Sequence, residues 1–457
     1  MRLHASRSDI LNGTIWKQIL IFFFPILFGT FFQQLYNTVD AVIVGNFVGK
    51  EALGAVGGST GTLINLLVGF VTGISSGATV VISQFYGRRD AEGVSRSVYS
   101  GMFLAVVCGA VMMIVGFVFA PDFLKMMNVP QDILGYSITY MRIYFLGLIP
   151  MLIYNMGAGI LRAVGDSKRP LYFLIAACIC NIVLDILFVV ILRLEVFGVA
   201  LATTISQVVS CILTLWVLKK TEDSYQFELK KMYCEKDTLK RIVGLGLPTG
   251  IQSCLYSVSN LLIQTTVNGY GTDTVAAFTA FGKIDALFWM MTGAFGTAVM
   301  TFVGQNFGAG NIDRVKKGMT QTIIMQAIAS VILSTTLYFT GGVFYRLFTP
   351  DQEVIRIGME ILRFLCPTWV CFVFIEVYSM GIRACGDSLI PMMMTALGIC
   401  GTRMIWIFFG PSGSVLESLF CYPISWVLTS TLFIIYYLRK GWLKRSLAQR
   451  EKMMKSF

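Results

Sequence analysis

Four acidic side chains stand inside long apolar stretches of this 457-residue chain: Asp40, Asp185, Asp285 and Glu376. A carboxylate inside an apolar span is costly and marks a function by default. Asp40 has polar company. Gln33 and Asn37 are spaced i,i+4 and Asn37 and Asp40 i,i+3, so on a helix they form one polar stripe. Asn181 and Asp185, also i,i+4, share a face of a later helix. Asn155 and Thr203 can complete a ring of oxygen donors around them. Such a ring suits Na+, a hard cation. It suits a proton equally, because two carboxylates in one dry pocket cannot both carry charge cheaply. The alternative is an interhelical hydrogen-bond cluster that only holds helices together, although two acids exceed what packing needs.

The elements that carry these residues are membrane spans. The chain is 56% hydrophobic and 13% charged, with mean hydropathy +0.72. Soluble domains carry about 25% charged residues, so a soluble one- or two-domain enzyme is excluded. Apolar runs separated by charged or Gly/Pro punctuation predict twelve spans, at 18–46, 53–84, 97–120, 136–161, 171–192, 198–218, 242–268, 275–304, 319–345, 361–382, 392–410 and 416–438. The first, second, seventh and eighth hold Gly, Gln, Asn and Ser at levels lipid-facing helices avoid, and are expected to be interior helices beside a wet cavity. The polar N-terminus runs into the first apolar segment without a small-residue cleavage site, so that segment reads as a retained span.

Net charge is +11, and placement explains it. Of 36 Lys and Arg, 27 fall on the side of the two termini, 7 on the other, and Lys283 and Arg403 within spans. The positive-inside rule then makes both termini cytoplasmic. The surplus is topogenic and needs no nucleic-acid partner. The single histidine, His4, sits in the polar N-terminal tail, so neither a His-ligated metal nor a His relay is available. The eleven cysteines are scattered, without a metal or redox spacing, and read as small buried apolar groups. There is no G-x-x-x-x-G-K-[ST] loop for ATP and no H-E-x-x-H motif. The expectation is a protein that is not an enzyme, with no cofactor and no structural metal.

The chain also repeats itself. RAVGDSKRP at 162–170 returns as RACGDSLIP at 383–391, and QFYGRRDAEGV at 84–94 returns as QNFGAGNIDRV at 305–315, both offset by 221. Pro25 and Asn37 match Pro248 and Asn260 at an offset of 223. Each half is therefore a six-helix unit, and an even number of spans per repeat gives both halves one orientation, about an axis along the membrane normal. The expected organisation is an N-lobe at 1–218, a charged linker at 219–241, a C-lobe at 242–438 and a basic tail at 439–457. The two G-D-S loops read as tight turns, with Asp capping and Pro starting the next helix.

The run FPILFGTFFQQLYNTVDAVIVGNFVGKEALGAVG, the two Q-x-[FY]-G loops and the two R-A-x-G-D-S-x-x-P loops resemble the multidrug and toxic compound extrusion (MATE) transporters, over nearly the whole chain. The resemblance implies an all-α polytopic membrane protein with twelve transmembrane helices in two pseudo-symmetric six-helix lobes, arranged as a V. It also implies export of amphipathic, often cationic compounds, driven by inward H+ or Na+. Asp40, Asn155, Asn181, Asp185 and Thr203 are similar to the N-lobe cation site of the DinF-like branch of that family. Some branches carry an acid on the seventh helix; here 242–268 has Gln252 and Gln264 but no acid, which counts against a second cation site in the C-lobe.

The repeat separates coupling from scaffold. Asp40 corresponds to Ile263, Asp185 to Trp406 and Asn181 to Thr402, so the paired acids exist in the first half alone. Staples would be needed twice. The coupling site is thus expected in the N-lobe. In the second half Glu376 takes the place of Asn155, Lys283 and Asp285 stand two apart, and Arg403 can pair with either acid. Gln33, Tyr36, Asn37, Met156, Asp285, Met290, Met291 and Glu376 are the expected substrate-cavity residues, Met suiting adaptable binding. The reading is a cation-coupled antiporter of amphipathic, cationic compounds. It is expected to be a monomer in the cell (inner) membrane, with small molecules and the lipid bilayer as its partners. The alternative is a lipid-linked precursor flippase, which would want several cavity bases for phosphates where this chain has two deep bases against four acids.

Overall fold

The computed structural model describes residues 9–127 and 129–455, so His4 and its neighbours lie outside the described residues. Apolar runs of 16 to 38 residues, rich in Leu, Ile, Phe, Val and Ala, form helix after helix because the backbone groups must be satisfied within each segment. The first half gives α1 (Ile15–Phe47), α2 (Lys50–Gly57), α3 (Ser59–Gly87), α4 (Ala91–Met126), α5 (Gln131–Leu146), α6 (Leu148–Ala163), α7 (Lys168–Asp185) and α8 (Glu195–Lys220). The second gives α9 (Lys236–Asn268), α10 (Thr272–Ala309), α11 (Ile312–Arg346), α12 (Gln352–Leu365), α13 (Trp369–Ala384), α14 (Leu389–Thr395), α15 (Thr402–Phe409), α16 (Val415–Leu419), α17 (Cys421–Leu438) and α18 (Gly441–Lys455). No strand occurs among the described residues.

Ten of these segments are long and apolar enough to cross a membrane, and α5 with α6, bent by 48° at Gly147, makes an eleventh. The expected seventh span is present as α9, a 33-residue helix, but it falls short of that apolarity. Its sequence explains why: Gly, Ser, Thr, Gln and Asn recur along it. α3 and α10 are buried over much of their length, whereas fewer of the α1 residues are buried.

Both G-D-S loops are the capped turns their sequence implies. Gly165 and Gly386 take matching left-handed φ values of 104° and 103°, which a side chain would resist. Asp166 Oδ1 accepts the Lys168 and Arg169 backbone N–H groups at 3.2 and 3.1 Å, and Asp387 Oδ1 accepts that of Ile390 at 3.4 Å. All eleven cysteines are free thiols.

The chain forms two compact units, but their limits differ from the expected lobes and linker. The first holds Phe24–Gly250, and the second holds Asp9–Phe23 with everything from Ile251. Segment 219–241 is no free linker. Tyr99 of α4 lies 5.2 Å from the Phe227 ring and 4.9 Å from that of Tyr233, Arg96 pairs with Glu235 at 3.2 Å, and Ser100 Oγ accepts the Glu235 N–H at 3.1 Å. The start of α9 stays with the first unit because glycines permit it: a methyl group on Gly73 or Gly77 of α3 would overlap the α9 backbone at Gly250 or Gly246. Asp9–Phe23 belongs to the second unit. Arg314 donates to the Ile10 and Gly13 carbonyls at 3.0 and 2.8 Å, and Phe23 stacks on Phe295 with ring centres 4.1 Å apart. The basic tail is likewise packed: Trp442 of α18 is buried against Tyr437, and Arg445 pairs with Asp387 at 3.1 Å.

Candidate functional site

The first unit gathers Asp40, Asn181, Asp185 and Thr203 from three helices. Spacing along each helix does the positioning. Asn181 and Asp185 project one turn apart from α7, Asp40 comes from α1, and Thr203 from α8. Asp40 and Thr203 are each 4% exposed, and Asn181 and Asp185 are fully buried. Thr203 Oγ1 donates to Asp40 Oδ2 at 3.3 Å while also bonding the Val199 carbonyl at 3.0 Å. Asp185 and Asn181 stand against the Asp40 carboxyl. Among the described residues, the second Asp40 oxygen, both oxygens of Asp185 and both amide atoms of Asn181 have no hydrogen-bond partner. Ionised carboxylates only accept hydrogen bonds, so this pair closes only when a proton or another cation comes between its members. No arginine or lysine forms an ion pair with either acid among the described residues.

The surroundings keep that interaction strong. Ile43 and Val44 lie one turn beyond Asp40, Val189 one turn beyond Asp185, and Val199 and Ala200 one turn before Thr203. With Ala52, Val196 and Tyr140 they form one buried apolar cluster. Fewer water dipoles around a charge mean less screening. Immediately after Asp185 the helix widens into a π segment, Ile186–Ile191, a device frequent at functional sites.

The other expected residues are placed less uniformly. Asn155 is half-buried, and its amide donates to the Met151 carbonyl of its own helix at 2.9 Å. The polar stripe on α1 runs through Gln33, Tyr36 and Asp40, not through Asn37. Tyr36 is buried with its hydroxyl reaching Gln33 and Gln207. Asn37 is exposed and bonds Gln34 at 3.4 Å, because at 100° per residue i−3 falls on the flank of the face Asp40 occupies. Met156 is 1% exposed and packs its sulfur on Gly101 of α4, so it belongs to helix packing and not to an open cavity. Met290 is half-buried and Met291 buried on α10.

Two residues beside the acids escaped the sequence reading. Tyr140 faces both Asp40 and Asp185, and Tyr144, its rings 6.3 Å away, donates to the Met151 sulfur at 3.6 Å. The signal was available: Tyr136, Tyr140 and Tyr144 recur every four residues on α5.

The second unit has a different constellation. At the places of Asp40 and Asp185 stand Ile263, buried, and Trp406, whose indole donates to the Glu417 carbonyl at 2.9 Å. Asp285 accepts the Trp289 indole N–H at 2.6 Å, and Lys283 points outward, exposed. Glu376 is half-buried, its carboxylate lying directly on the α10 backbone at Gly296. Arg383 donates to Gln252 at 2.7 Å and Ser379 at 3.4 Å. Neither expected pairing of Arg403 with an acid forms a direct ion pair; its partners are Asn260, Ser425 and Tyr422.

Comparison with known proteins is consistent with this doubled plan. The MatE family model matches residues 25–187 and again 248–409. The probable multidrug resistance protein YoeA of Bacillus subtilis (strain 168) is 28% identical over 448 residues, covering 95% of this chain and 96% of its own. YpnP of the same organism, also called a probable multidrug resistance protein, is 28% identical over 80% of each chain. A solved MOP superfamily transporter from Pyrococcus furiosus superposes with a TM-score of 0.88 at 22% identity, over 96% of this chain and 99% of that one.

Proposed function

The chain belongs to the MatE family, whose members are membrane transporters and not enzymes, and from that premise we propose that it is an antiporter expelling amphipathic, cationic compounds in exchange for inward H+ or Na+. The observation that carries the coupling is the buried Asp40–Asp185 pair, with five orphaned polar atoms on Asp40, Asp185 and Asn181 and no base paired with it among the described residues. The names of YoeA and YpnP support multidrug resistance as the setting.

In this reading the outward-open protein takes a cation between Asp40 and Asp185, with Thr203 and Asn181 supplying further oxygens. Neutralising the pair weakens its hold on a cationic compound, which leaves outward. The protein turns inward, the cation dissociates, and a new compound binds. Coupling requires only that cation and cargo stabilise different states. Asn155 serves the site from half-burial. The protein acts as a monomer in the cell membrane with both termini cytoplasmic. That orientation is supported by the lysine and arginine bias, and a shared side by the last turn of α10, where Asn306 donates to the Ile10 carbonyl and Arg450 to the Gly308 carbonyl.

The test is dye efflux from proteoliposomes under separately imposed pH and Na+ gradients, for the wild type and Asp40→Asn. One gradient should drive wild-type efflux and neither should drive the variant. Gradient-driven efflux that survives Asp40→Asn would sink the mechanism.

A further inference from the structure

The proposed cycle leaves four ionisable side chains idle within the helices of the second unit: Asp285, Glu376, Arg383 and Arg403. None of them forms an ion pair among the described residues. That is unusual for charge inside a membrane span, where acids and bases normally neutralise one another.

Arg403 is the most constrained of the four. Only 2% of it is exposed, and its guanidinium lies 4.2 Å from the centre of the Tyr422 ring. Nε donates to Ser425 Oγ at 3.3 Å, and Nη1 donates to Asn260 Oδ1 at 3.1 Å. Both acceptors are neutral. The remaining nitrogen, Nη2, has no acceptor among the described residues, and Asn260 in front of the group is exposed. Asp285 is near enough to feel the charge without touching it, its own carboxylate being taken by Trp289. Tyr256, half-buried on α9, is within electrostatic reach of Arg403, Glu376 and Arg383 together.

An arginine cannot shed its proton, and its planar fork matches a carboxylate better than any neutral acceptor. Here the fork is held in orientation by a ring and two neutral oxygens, with one nitrogen unclaimed. The nearby acid is engaged elsewhere. A structural arginine would be quenched by the carboxylates present; this one is held apart from them. The first half has no counterpart, since the matching position is Ile182.

We propose that Arg403 anchors a carboxylate of the transported compound, with the aromatic rings of Tyr256 and Tyr422 flanking it. The cargo class then includes zwitterionic aromatic compounds, whose cationic end is met by the unpaired Glu376 carboxylate. This rests on the export reading and narrows its substrate from cations to molecules of both signs.

The probes are two xanthene dyes with the same delocalised cation, one bearing a free carboxylate and the other its ethyl ester. Binding to purified protein is followed by fluorescence, and efflux is followed in proteoliposomes. The wild type should bind the acid at least about 10-fold more tightly than the ester, the scale of a charge-assisted hydrogen bond. Arg403→Gln should erase that preference and leave ester affinity unchanged. Arg403→Lys, which keeps charge without the fork, should retain only part of it and serves if the Gln variant does not fold. Equal binding of acid and ester by the wild type, an undiminished preference in the Lys variant, or equal weakening for both dyes in the Gln variant overturns the assignment. Failure of the export reading looks different: neither dye moves under any gradient. Ester efflux without acid preference defeats the Arg403 site alone.

Discussion

In the first unit Asp40 and Asp185 stand against one another with the Thr203 hydroxyl and the Asn181 amide beside Asp40, next to an apolar layer, and among the described residues no base pairs with either acid. At the matching places of the second unit stand Ile263 and Trp406, and the charge there is divided between two buried arginines and two half-buried acids that form no ion pair among the described residues. The π segments diverge as well. Ile186–Ile191 follows Asp185, whereas Ala396–Gly401 precedes Thr402 and Arg403, so the widened turns sit on opposite sides of the repeated position. One duplicated scaffold therefore carries a buried acid pair in one copy and a group of mixed charge in the other. A helical frame is indifferent to such divergence as long as its turns and crossings are kept.

The sharpest way to break this comparison is to move the acid. Asp185→Asn should reduce gradient-driven efflux to the protein-free background, and adding Ile263→Asp to Asp40→Asn should not restore it. Ile263→Asp alone should destabilise the protein by about 2.5–3.5 kcal/mol, the cost of an unpartnered acid at mid-span, read as a fall in melting temperature in detergent. Restoration of efflux would mean that the two units are interchangeable.

The helix crossings give a second contrast. The first unit packs α3 on α9 backbone to backbone, so adding a methyl group is the harmful change. Gly73→Ala should cost about 1–3 kcal/mol through overpacking. The second unit packs Phe23 on Phe295 ring to ring, so removing bulk is harmful there, and Phe295→Ala should cost about 3 kcal/mol. Thermal stability of both variants checks the pair. If Gly73→Ala is silent, the close crossing of α3 and α9 is not as drawn.

Smaller effects refine the picture. Thr203→Val removes the donor that stabilises the charged Asp40 carboxylate, at unchanged shape. If H+ drives efflux, the half-saturating proton concentration should therefore fall about fivefold, the value of one hydrogen bond. If Na+ does, the half-saturating Na+ concentration should rise by a similar factor, a ligand oxygen being lost. An equal loss of stability instead would make Thr203 a packing residue. Smallest is the loop contrast. Asp166 is served by Arg169 of its own turn at 3.2 Å, whereas Asp387 is served by Arg445 of α18. Arg445→Ala should lower stability by no more than about 1 kcal/mol, as the arginine is partly exposed, and Arg169→Ala by less.

Much of this was legible in the residues. The repeat, the capped G-D-S turns and the shared face of Asn181 and Asp185 follow from spacing, because helix periodicity and turn chemistry are local; that Asp40 and Thr203 join them was implied by the family resemblance. Asn37 was misplaced because an i−3 spacing permits a shared stripe without requiring it. Met156 looked available because composition cannot tell a methionine beside a glycine from one beside an opening. Arg403 resisted for another reason: its partners, Asn260, Tyr422 and Ser425, come from two other helices, and nothing in their order along the chain pairs them. The unit boundaries were hidden for the same reason. A charged stretch at 219–241 looks like a connector until the tyrosine and serine of α4 that receive it are known.

Those boundaries bear on how the protein is made. The second unit includes Asp9–Phe23 together with α18. Their docking sites on Phe295, Asn306 and Arg314 are synthesised nearly 300 residues later, a wait of at least about 15 seconds at ordinary translation rates. The first unit must likewise wait for the start of α9. Neither half can close its core as it is inserted, and a ribosome stalled between the repeats would leave a six-helix intermediate with its opening turns undocked, a substrate for membrane quality control.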